Sequence, residues 1–365
     1  MGARMRHRGR FMRFYRAKLM NHGLGTFALT LALLVFMGGC MPLRPSRSSL
    51  PNMIWPEPPA IPRIALVNMV QRPDDLGIHP GVFKQLWHGL AGRRSPEIQS
   101  PHGLTTDRAG RLYVVDKVLR QVHIFDEQGQ RYQVIPESGP PLLTPIDVAI
   151  DERRGRIFVS DAADGAVRIF TMGGEAAGEI RRGLLGRPTG LAVNLATDEL
   201  LIIDSEHASL LRFSLEDLQP HGMIGHQGKA AGLFNAPTAV TAGPDGLIYV
   251  VDTLNNRVQI LTATGEFVRS FGAAGDAPGF FSRPKGVALD AQGNIHVVDA
   301  LFDNVQVFDD KGRLLMAYGG PGHEPGHFWL PAGIASDGRG RIYVADTYNR
   351  RVQVFQFLQG GELPE

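Results

Sequence analysis

From about residue 100 onward, short apolar runs alternate with turn-forming residues at an almost constant spacing. Six runs rich in β-branched and aromatic residues end in aspartate, namely LYVVD, IFVSD, LLIID, IYVVD, IHVVD and IYVAD, at Asp116, Asp161, Asp204, Asp252, Asp299 and Asp346. The steps between these aspartates are 45, 43, 48, 47 and 47 residues. A fixed period of this length is typical of a fold built from repeated supersecondary units.

Each repeat contains four segments with the pattern of β-strands. In the fifth repeat these segments are GVALD, NIHVVD, NVQVFD and GRLLMAYG, and the turns DAQGN and DDKG lie between them. Asp, Gly and Asn favour the backbone conformations that tight hairpin turns require. Six such units predict an all-β protein, a six-bladed β-propeller of four-stranded antiparallel blades covering residues 99–358.

The sixth repeat lacks its fourth strand, because the chain nearly ends after RVQVFQFL. An earlier segment, Arg63–Gln71 (RIALVNMVQ), has the composition of a strand. We therefore predict that this N-terminal strand completes the sixth blade and removes an open sheet edge. Residues 63–98 would hold this closing strand and a short helix over Val82–Leu90, which follows Pro80-Gly81 and precedes Gly92.

Two further motifs connect the repeats to a known family. The pattern Gly225-x2-Gly228-x3-Gly232-x-Phe234 recurs from Gly272 and from Gly319, and NRVQIL (256–261) and NRRVQVF (349–355) occupy equivalent places. These motifs resemble those of the NHL-repeat family, over roughly residues 100–356. The resemblance implies a propeller that binds other proteins, although the family also includes RNA binders.

Charge is distributed unevenly along the chain. The formal net charge is +2, but residues 1–56 hold nine Lys and Arg and no Asp or Glu, which leaves 29 basic against 36 acidic residues beyond them. A nucleic-acid-binding domain needs a basic folded body, so we expect no nucleic-acid partner. The single cysteine excludes a disulfide framework and a cysteine zinc cluster.

The N-terminal segment has the layout of a secretory signal. A run of Arg and Lys precedes the apolar stretch FALTLALLVFM (27–37), which is followed by Gly38-Gly39-Cys40. Eleven apolar residues are too few to span a bilayer as a helix. The residues before Cys40 resemble the lipobox of bacterial lipoproteins, although Met37 replaces the usual Leu. The alternative is an ordinary signal peptide with an incidental cysteine.

We accordingly predict a lipoprotein signal peptide over residues 1–39 and lipidation of Cys40. Residues 40–62 contain seven prolines and would form a semi-extended tether. The protein would be exported and held by its lipid on a bacterial membrane. Met41 is not the Asp that retains such proteins at the inner membrane, so the resemblance favours the outer membrane, at its periplasmic or surface face.

Few residues have the pattern of an active site. The sequence His323-Glu324-Pro325-Gly326-His327 has zincin spacing, but Pro and Gly break the helix that such a site needs. The six repeat aspartates could suggest a calcium ring, yet each lies at a turn where a carboxylate caps backbone amides, and we assign them a structural role. His296 takes the position of Tyr113 in another repeat, which indicates a packed strand residue.

A proline opens each repeat, and the six residues that directly follow these prolines should form a ring. It holds His102, Ile146, Thr189, Thr238, Lys285 and Ala332. This ring should surround one mouth of the central channel, where His102 and Lys285, with the adjacent Asp147, are candidate site residues. We predict no bound metal and no cofactor.

These observations favour a membrane-anchored, exported NHL-repeat lipoprotein that acts as a non-catalytic scaffold for an unidentified protein partner. Two alternatives remain. One is a metal-dependent lyase or lactonase that uses Ca²⁺ or Zn²⁺ at the channel mouth, since amidating lyases resemble this fold. The other is a receptor for a small ligand at the same mouth.

Overall fold

The computed structural model describes residues 53–79, 96–180 and 183–358 of the chain. This part contains twenty-five β-strands and two short 3-10 turns, Pro73–Leu76 and Thr253–Asn255, and no α-helix. The predicted signal peptide, Cys40 and the predicted helix at 82–90 lie outside the described residues.

The strands form six antiparallel sheets, of which five are meanders of four consecutive strands and the sixth joins two N-terminal strands to the last three. Blade 1 contains β3 (Pro101–Thr106), β4 (Leu112–Asp116), β5 (Gln121–Asp126) and β6 (Arg131–Ile135). Blade 2 contains β7 (Pro145–Asp151), β8 (Arg156–Asp161), β9 (Ala166–Thr171) and β10 (Ala176–Ile180). Blade 3 contains β11 (Pro188–Asn194), β12 (Glu199–Asp204), β13 (Ser209–Ser214) and β14 (Pro220–Ile224).

The later blades repeat this order. Blade 4 contains β15 (Ala239–Ala242), β16 (Ile248–Asp252), β17 (Arg257–Leu261) and β18 (Phe267–Phe271). Blade 5 contains β19 (Pro284–Leu289), β20 (Ile295–Asp299), β21 (Asn304–Phe308) and β22 (Leu314–Gly319). Blade 6 combines β23 (Ile334–Ser336), β24 (Arg341–Asp346) and β25 (Arg351–Phe357) with two N-terminal strands, β1 (Ile54–Trp55) and β2 (Ile64–Val70). The six-bladed all-β propeller predicted from the repeat is confirmed.

Burial within a blade follows the position of each strand. Every residue of the second strands β4, β16 and β20 is buried, whereas four of the five residues of the fourth strands β10 and β18 are exposed. The middle strands are apolar on both faces because neighbouring blades cover both faces. The fourth strand faces solvent, so its sequence is more polar and less regular.

The closing strand is where the sequence predicts it. Strand β2 pairs antiparallel with β25, with Leu66 opposite Phe355 and Val70 opposite Val352. Ile64 and Val70 are fully buried, and they contribute to two different apolar clusters of the ring. The ring is therefore closed by joining the two ends of the propeller segment, which leaves no unpaired edge on β25.

The structure differs from the sequence prediction in the proline-rich segment. Residues 40–62 were expected to be a tether, but Ile54–Trp55 form β1 on the free edge of β2. The Trp55 ring lies 6.2 Å from that of Tyr318 and 5.8 Å from that of Phe355. An edge strand tolerates nearby prolines because one side of its backbone needs no partner, and burial of an indole favours the contact. Ile54 and Trp55 of this segment are therefore part of the sixth blade.

The Gly-x2-Gly-x3-Gly-x-Phe segments connect consecutive blades, and their phenylalanine side chains pack into the core there. Phe234, Phe281 and Phe328 are fully buried, each in an apolar cluster of the ring. Gly225 has a φ of +77°, and a Cβ built there would lie 2.4 Å from the Phe234 ring. Glycine is needed here because the backbone is left-handed and the phenylalanine ring packs directly onto it.

The closing strand can be tested by truncation. A chain that starts at Arg72 lacks β1 and β2, and therefore loses three buried side chains, Ile64, Leu66 and Val70. Burial of each contributes about 1.5–3 kcal/mol. We expect the melting temperature to fall by about 10 °C or more, measured by circular dichroism.

The matched control is a chain that starts at Met53. This truncation keeps every residue of β1 and β2, so its propeller should melt close to the full-length protein. An equal melting temperature for both truncations would contradict closure by β2.

Candidate functional site at the propeller channel

The first strands of the six blades surround a central cavity of about 390 Å³. The connections between the fourth and first strands, and between the second and third strands, lie at one end of this channel. We call it the proline end, since Pro101, Pro145 and their equivalents start the first strands there. His102, Ile146, Thr238, Lys285 and Ala332 line the cavity at this end, and the opposite end is lined by residues that include Arg108, Glu152 and Arg153.

Close backbone contacts hold the first strands together near the proline end. A Cβ built on Gly103 would lie 2.5 Å from the Cα of Asp147, and one on Gly190 would lie 2.6 Å from the Cα of Ala239. A Cβ on Gly333 would lie 2.2 Å from the His102 carbonyl. Glycine at the second position after the proline is therefore needed where neighbouring blades come closest at the axis.

His102 is half-buried at the start of β3. Its Nδ1 donates to the carbonyl of Ile146 on the neighbouring blade at 3.0 Å. Burial, followed by the charges of Lys117 and Lys285, lowers the pKa of His102 to about 3. The imidazole is therefore neutral near pH 7, with its proton on Nδ1 and the lone pair of Nε2 free.

Asp147 links two blades. Its Oδ1 accepts from the amide of Val148 and its Oδ2 from the amide of Leu191 on blade 3, both at 2.9 Å. Burial raises its pKa to about 7, although these two hydrogen bonds favour the carboxylate. Ser160 makes a second link between blade 2 and blade 3, because its hydroxyl donates to the carbonyl of Thr189 at 2.6 Å.

Lys285 is half-buried at the start of β19. Its carbonyl accepts from the Thr238 hydroxyl at 3.1 Å, and burial and three nearby cations lower the pKa of its amine to about 8. The structure thus places His102, Asp147 and Lys285 around one cavity. No hydrogen bond joins any two of them among the residues that the structure describes.

The six repeat aspartates have one local role in common. Asp116 accepts from the amides of Gln99 and Ser100 before the first strand, and from those of Val118 and Leu119 after the second. The other five make equivalent bonds to the connection before the first strand. Each is at most 1% exposed. These carboxylates tie the backbone together and offer no open ring for calcium.

Two histidine motifs have ordinary structural environments. The segment His323-Glu324-Pro325-Gly326-His327 lies in the connection between β22 and β23, where Gly326 has a φ of +79°. His323 bonds through Nδ1 to the Asn349 side chain at 2.7 Å. His296 is fully buried, with Nε2 3.1 Å from Asp290 Oδ2. Across the described ranges, no group of three His, Cys, Asp or Glu could hold a metal ion.

Sequence reasoning missed three cations at the proline end, Lys117, Arg187 and Arg283. Lys117 directly follows Asp116, and the two arginines directly precede Pro188 and Pro284. A signal for them existed, because both positions recur in every repeat at the same end of the channel. The sequence prediction used only the position after the proline, which includes His102 and Lys285.

A large share of the exposed apolar side chains also lies at this end. Of the fifteen large apolar side chains exposed in the described ranges, nine are in the connections at the proline end, namely Val118, Leu119, Leu143, Leu184, Leu254, Phe280, Leu301, Trp329 and Tyr348. The rings of Trp329 and Tyr348 lie 5.2 Å apart, and His323 contacts Trp329 edge-on at 4.9 Å.

Comparison with protein families gives a match in two of the six repeats. Residues 234–261 and 328–355 match the sequence model of the NHL repeat. Each of these two stretches is therefore similar to an NHL repeat. The two matched stretches cover the first, second and third strands of blades 4 and 6, up to Phe355 in β25, and include the repeat aspartates Asp252 and Asp346.

The propeller is also similar to part of a larger enzyme. Peptidyl-glycine alpha-amidating monooxygenase B of Xenopus laevis is 27% identical over 178 residues, which cover 42% of this chain. The chain therefore spans only 19% of the length of that relative.

Solved structures share the fold at low sequence identity. A streptogramin B lyase gives a TM-score of 0.53 at 15% identity, covering 72% of this chain and 85% of its own. Virginiamycin B lyase from Staphylococcus aureus gives 0.53 at 14%, covering 71% and 96%. An auxiliary nutrient binding protein from Bacteroides thetaiotaomicron gives 0.57 at 14%, covering 72% and 70%. At such identities the likeness shows the fold alone. Within the described residues, no helix is long and apolar enough to cross a membrane.

The raised pKa of Asp147 predicts a specific dependence of stability on pH. The folded protein holds the Asp147 proton up to about pH 7, whereas an unfolded aspartate loses it near pH 4. Between these values the folded state binds more protons, so its stability falls as pH rises. The melting temperature of the wild type relative to Asp147→Asn should drop by a few degrees between pH 5 and pH 8.

Asp147→Asn is the matched reference because it does not titrate, and the difference between the two proteins isolates this carboxyl. A difference that stays constant from pH 5 to pH 8 would show that the buried carboxyl does not titrate in this range.

Proposed function

We propose that this protein is an exported lipoprotein, anchored to a membrane through Cys40, whose NHL propeller binds another protein without catalysing a reaction. The observation that carries the proposal is the concentration of exposed apolar side chains at the proline end. Contiguous exposed apolar surface on a soluble domain commonly marks a binding site.

The aromatic pair on blade 6 is the best candidate for the centre of this interface. Trp329 is 44% exposed and Tyr348 56% exposed, and each extends from a connection whose backbone is fixed. The amide of Trp329 donates to Asp346 at 2.8 Å, and the amide of Tyr348 donates to the Trp329 carbonyl at 3.2 Å. Rigid, exposed Trp and Tyr side chains contribute strongly to protein interfaces because little entropy is lost on binding.

The position of the N-terminal strands is compatible with display on a membrane. The Leu66 amide donates to the carbonyl of Met53 at 2.9 Å, so the chain joins the propeller at the outer edge of blade 6. Met53 is thirteen positions after Cys40, and an extended chain of that length reaches at most about 45 Å. A lipid on Cys40 would keep the propeller close to the membrane surface.

A metal-dependent lyase or lactonase is the second candidate function. It is favoured by the partial likeness to an amidating monooxygenase and by the free Nε2 of His102 in the channel. A catalytic zinc usually needs three protein ligands, and the described residues bring no such group together. One Zn²⁺ or Ca²⁺ per purified chain would favour this function over the scaffold.

The scaffold proposal is tested by cross-linking in cells, followed by capture of the full-length protein and mass spectrometry. We expect a reproducible, near-stoichiometric partner from the exported or membrane fraction. Trp329→Ala combined with Tyr348→Ala should reduce its capture at least about tenfold, since a hot-spot residue contributes about 2 kcal/mol or more.

The control pair is Phe267→Ala and Val268→Ala, which removes similarly exposed apolar side chains from the outer strand β18. This pair should leave capture unchanged. Absence of any partner, or equal loss with both pairs, would contradict binding through the proline end.

The anchor is tested separately. Cys40→Ser removes the only thiol of the chain, so incorporation of a labelled fatty acid should stop and the protein should leave the membrane fraction. Cys40→Ser that still carries the label, or stays with the membranes, would refute lipidation at this position. Neither result would bear on the folded propeller.

A further inference from the structure

Four cations come together at the proline end from three alternate blades. Lys117 lies on blade 1, Arg187 precedes blade 3, and Arg283 and Lys285 lie at the start of blade 5. Alternate blades of a six-bladed ring are spaced about 120° apart, so these side chains surround the channel axis. Their proximity is also apparent in their mutual effects, because Lys117, Arg187 and Arg283 all lower the pKa of Lys285.

No acidic residue occupies the three repeat positions from which these cations come. Three positions of each repeat lie closest to this mouth: before the proline, after the proline and after the repeat aspartate. The eighteen residues at these positions include no Asp or Glu, four Lys or Arg, and one His. None of the four cations forms an ion pair in the part of the chain that the structure describes.

The repeat aspartates beside these cations already accept other hydrogen bonds. Asp116, Asp204 and Asp299 accept backbone amides of the same connections, including those of Arg187 and Arg283. Only burial and other cations shift the pKa values of Lys117 and Lys285, both downward. Lys117 and Lys285 are partly buried, and further cations close to them are unfavourable in the free protein. A bound anion would remove this cost.

A second observation points to the same place. Thr189 occupies the position after the proline in blade 3, equivalent to His102 and Lys285. Pro188 lies between Arg187 and Thr189. Thr189 is only 8% exposed, and its hydroxyl has no hydrogen-bond partner among the described residues. An unsatisfied buried hydroxyl costs free energy, so a native protein usually provides it with a partner.

We propose that the proline end of the channel binds a small anion that carries two or more negative charges on its oxygen atoms. Lys117, Arg187, Arg283 and Lys285 would bind these oxygens, and the hydroxyl of Thr189 is available as a neutral donor. The chemical class is a phosphate ester or a polycarboxylate.

The anion would sit at the mouth rather than deep in the cavity. Asp147 lies just inside the channel, and its carboxyl would repel an anion whenever it is ionised. Backbone contacts at Gly103, Gly190 and Gly333 bring the first strands together at the same level. The site therefore selects a compact, multiply charged group and excludes a long apolar ligand from the channel at this end.

Isothermal titration of the purified full-length protein with pyrophosphate and with citrate tests the site. We expect one binding event per chain with at least one probe, and an affinity that falls as salt rises, because exposed Arg187 and Arg283 are screened. Tighter binding of pyrophosphate would identify a phosphorylated ligand, and tighter binding of citrate a polycarboxylate.

Variants assign the binding to these residues. Lys285→Met and Arg187→Gln should each weaken the affinity at least about tenfold, and Arg187 is exposed, so its replacement should leave the fold intact. The control is Lys311→Met, an exposed lysine in the turn between β21 and β22 at the opposite end, which should bind like the wild type.

The proposal would be overturned by the absence of saturable binding up to about 10 mM of either probe. Equal weakening by Lys311→Met would also overturn it, since that result indicates non-specific attraction. Partner capture by Trp329 and Tyr348 does not depend on these cations. The site and the scaffold function can therefore fail independently.

Discussion

The buried aspartate that ends each second strand is the interaction on which the functional face of this propeller depends. Each carboxylate accepts amides from the connection before the first strand, and Asp116, Asp204 and Asp299 also accept amides from the turn after the second. In that way it fixes two loops that have no regular secondary structure of their own. The amides of Arg187 and Arg283 donate to Asp204 and Asp299, and that of Trp329 donates to Asp346. These carboxylates therefore hold in place the backbone of residues that are proposed to bind an anion or a partner.

Such an arrangement is costly to break because several donors depend on each acceptor. Asp346 accepts from Trp329, Asn349, Arg351 and Gln353. Removal of one carboxylate would leave buried donors without partners, and each unsatisfied donor costs about 1–3 kcal/mol. The aspartate therefore stands at the end of every second strand even though the neighbouring residues vary. These hydrogen bonds also explain why a recurring acidic residue need not indicate a metal site.

The fold could be predicted from the sequence because its information is local and repeated. Six copies of one strand pattern fix the number of blades, and the missing fourth strand of the last copy identifies Ile64–Val70 as the closing strand. Strand β1 could not be predicted, since prolines surround Ile54 and Trp55 and only the packing of the indole reveals its place. Membrane anchoring through Cys40 concerns residues outside the described structure and stays a prediction.

The candidate site was predictable only in part, for a physical reason. His102, Asp147 and Lys285 follow from one repeated position, and the structure places all three around the cavity. The links of Asp147 to Leu191 and of His102 to Ile146 join neighbouring blades, and such contacts between blades leave no local pattern.

The cation cluster was hidden in another way. Lys117 and Arg283 are separated by more than a third of the chain and meet because the ring closes. Net charge obscured them as well, since the acidic balance of the body is an average over both ends of the propeller. A charge that matters for binding is a local quantity. For a ring-shaped fold it must be counted by position within the repeat, and the three repeat positions at the proline mouth hold four Lys or Arg and no Asp or Glu. An acidic propeller can therefore present a basic mouth.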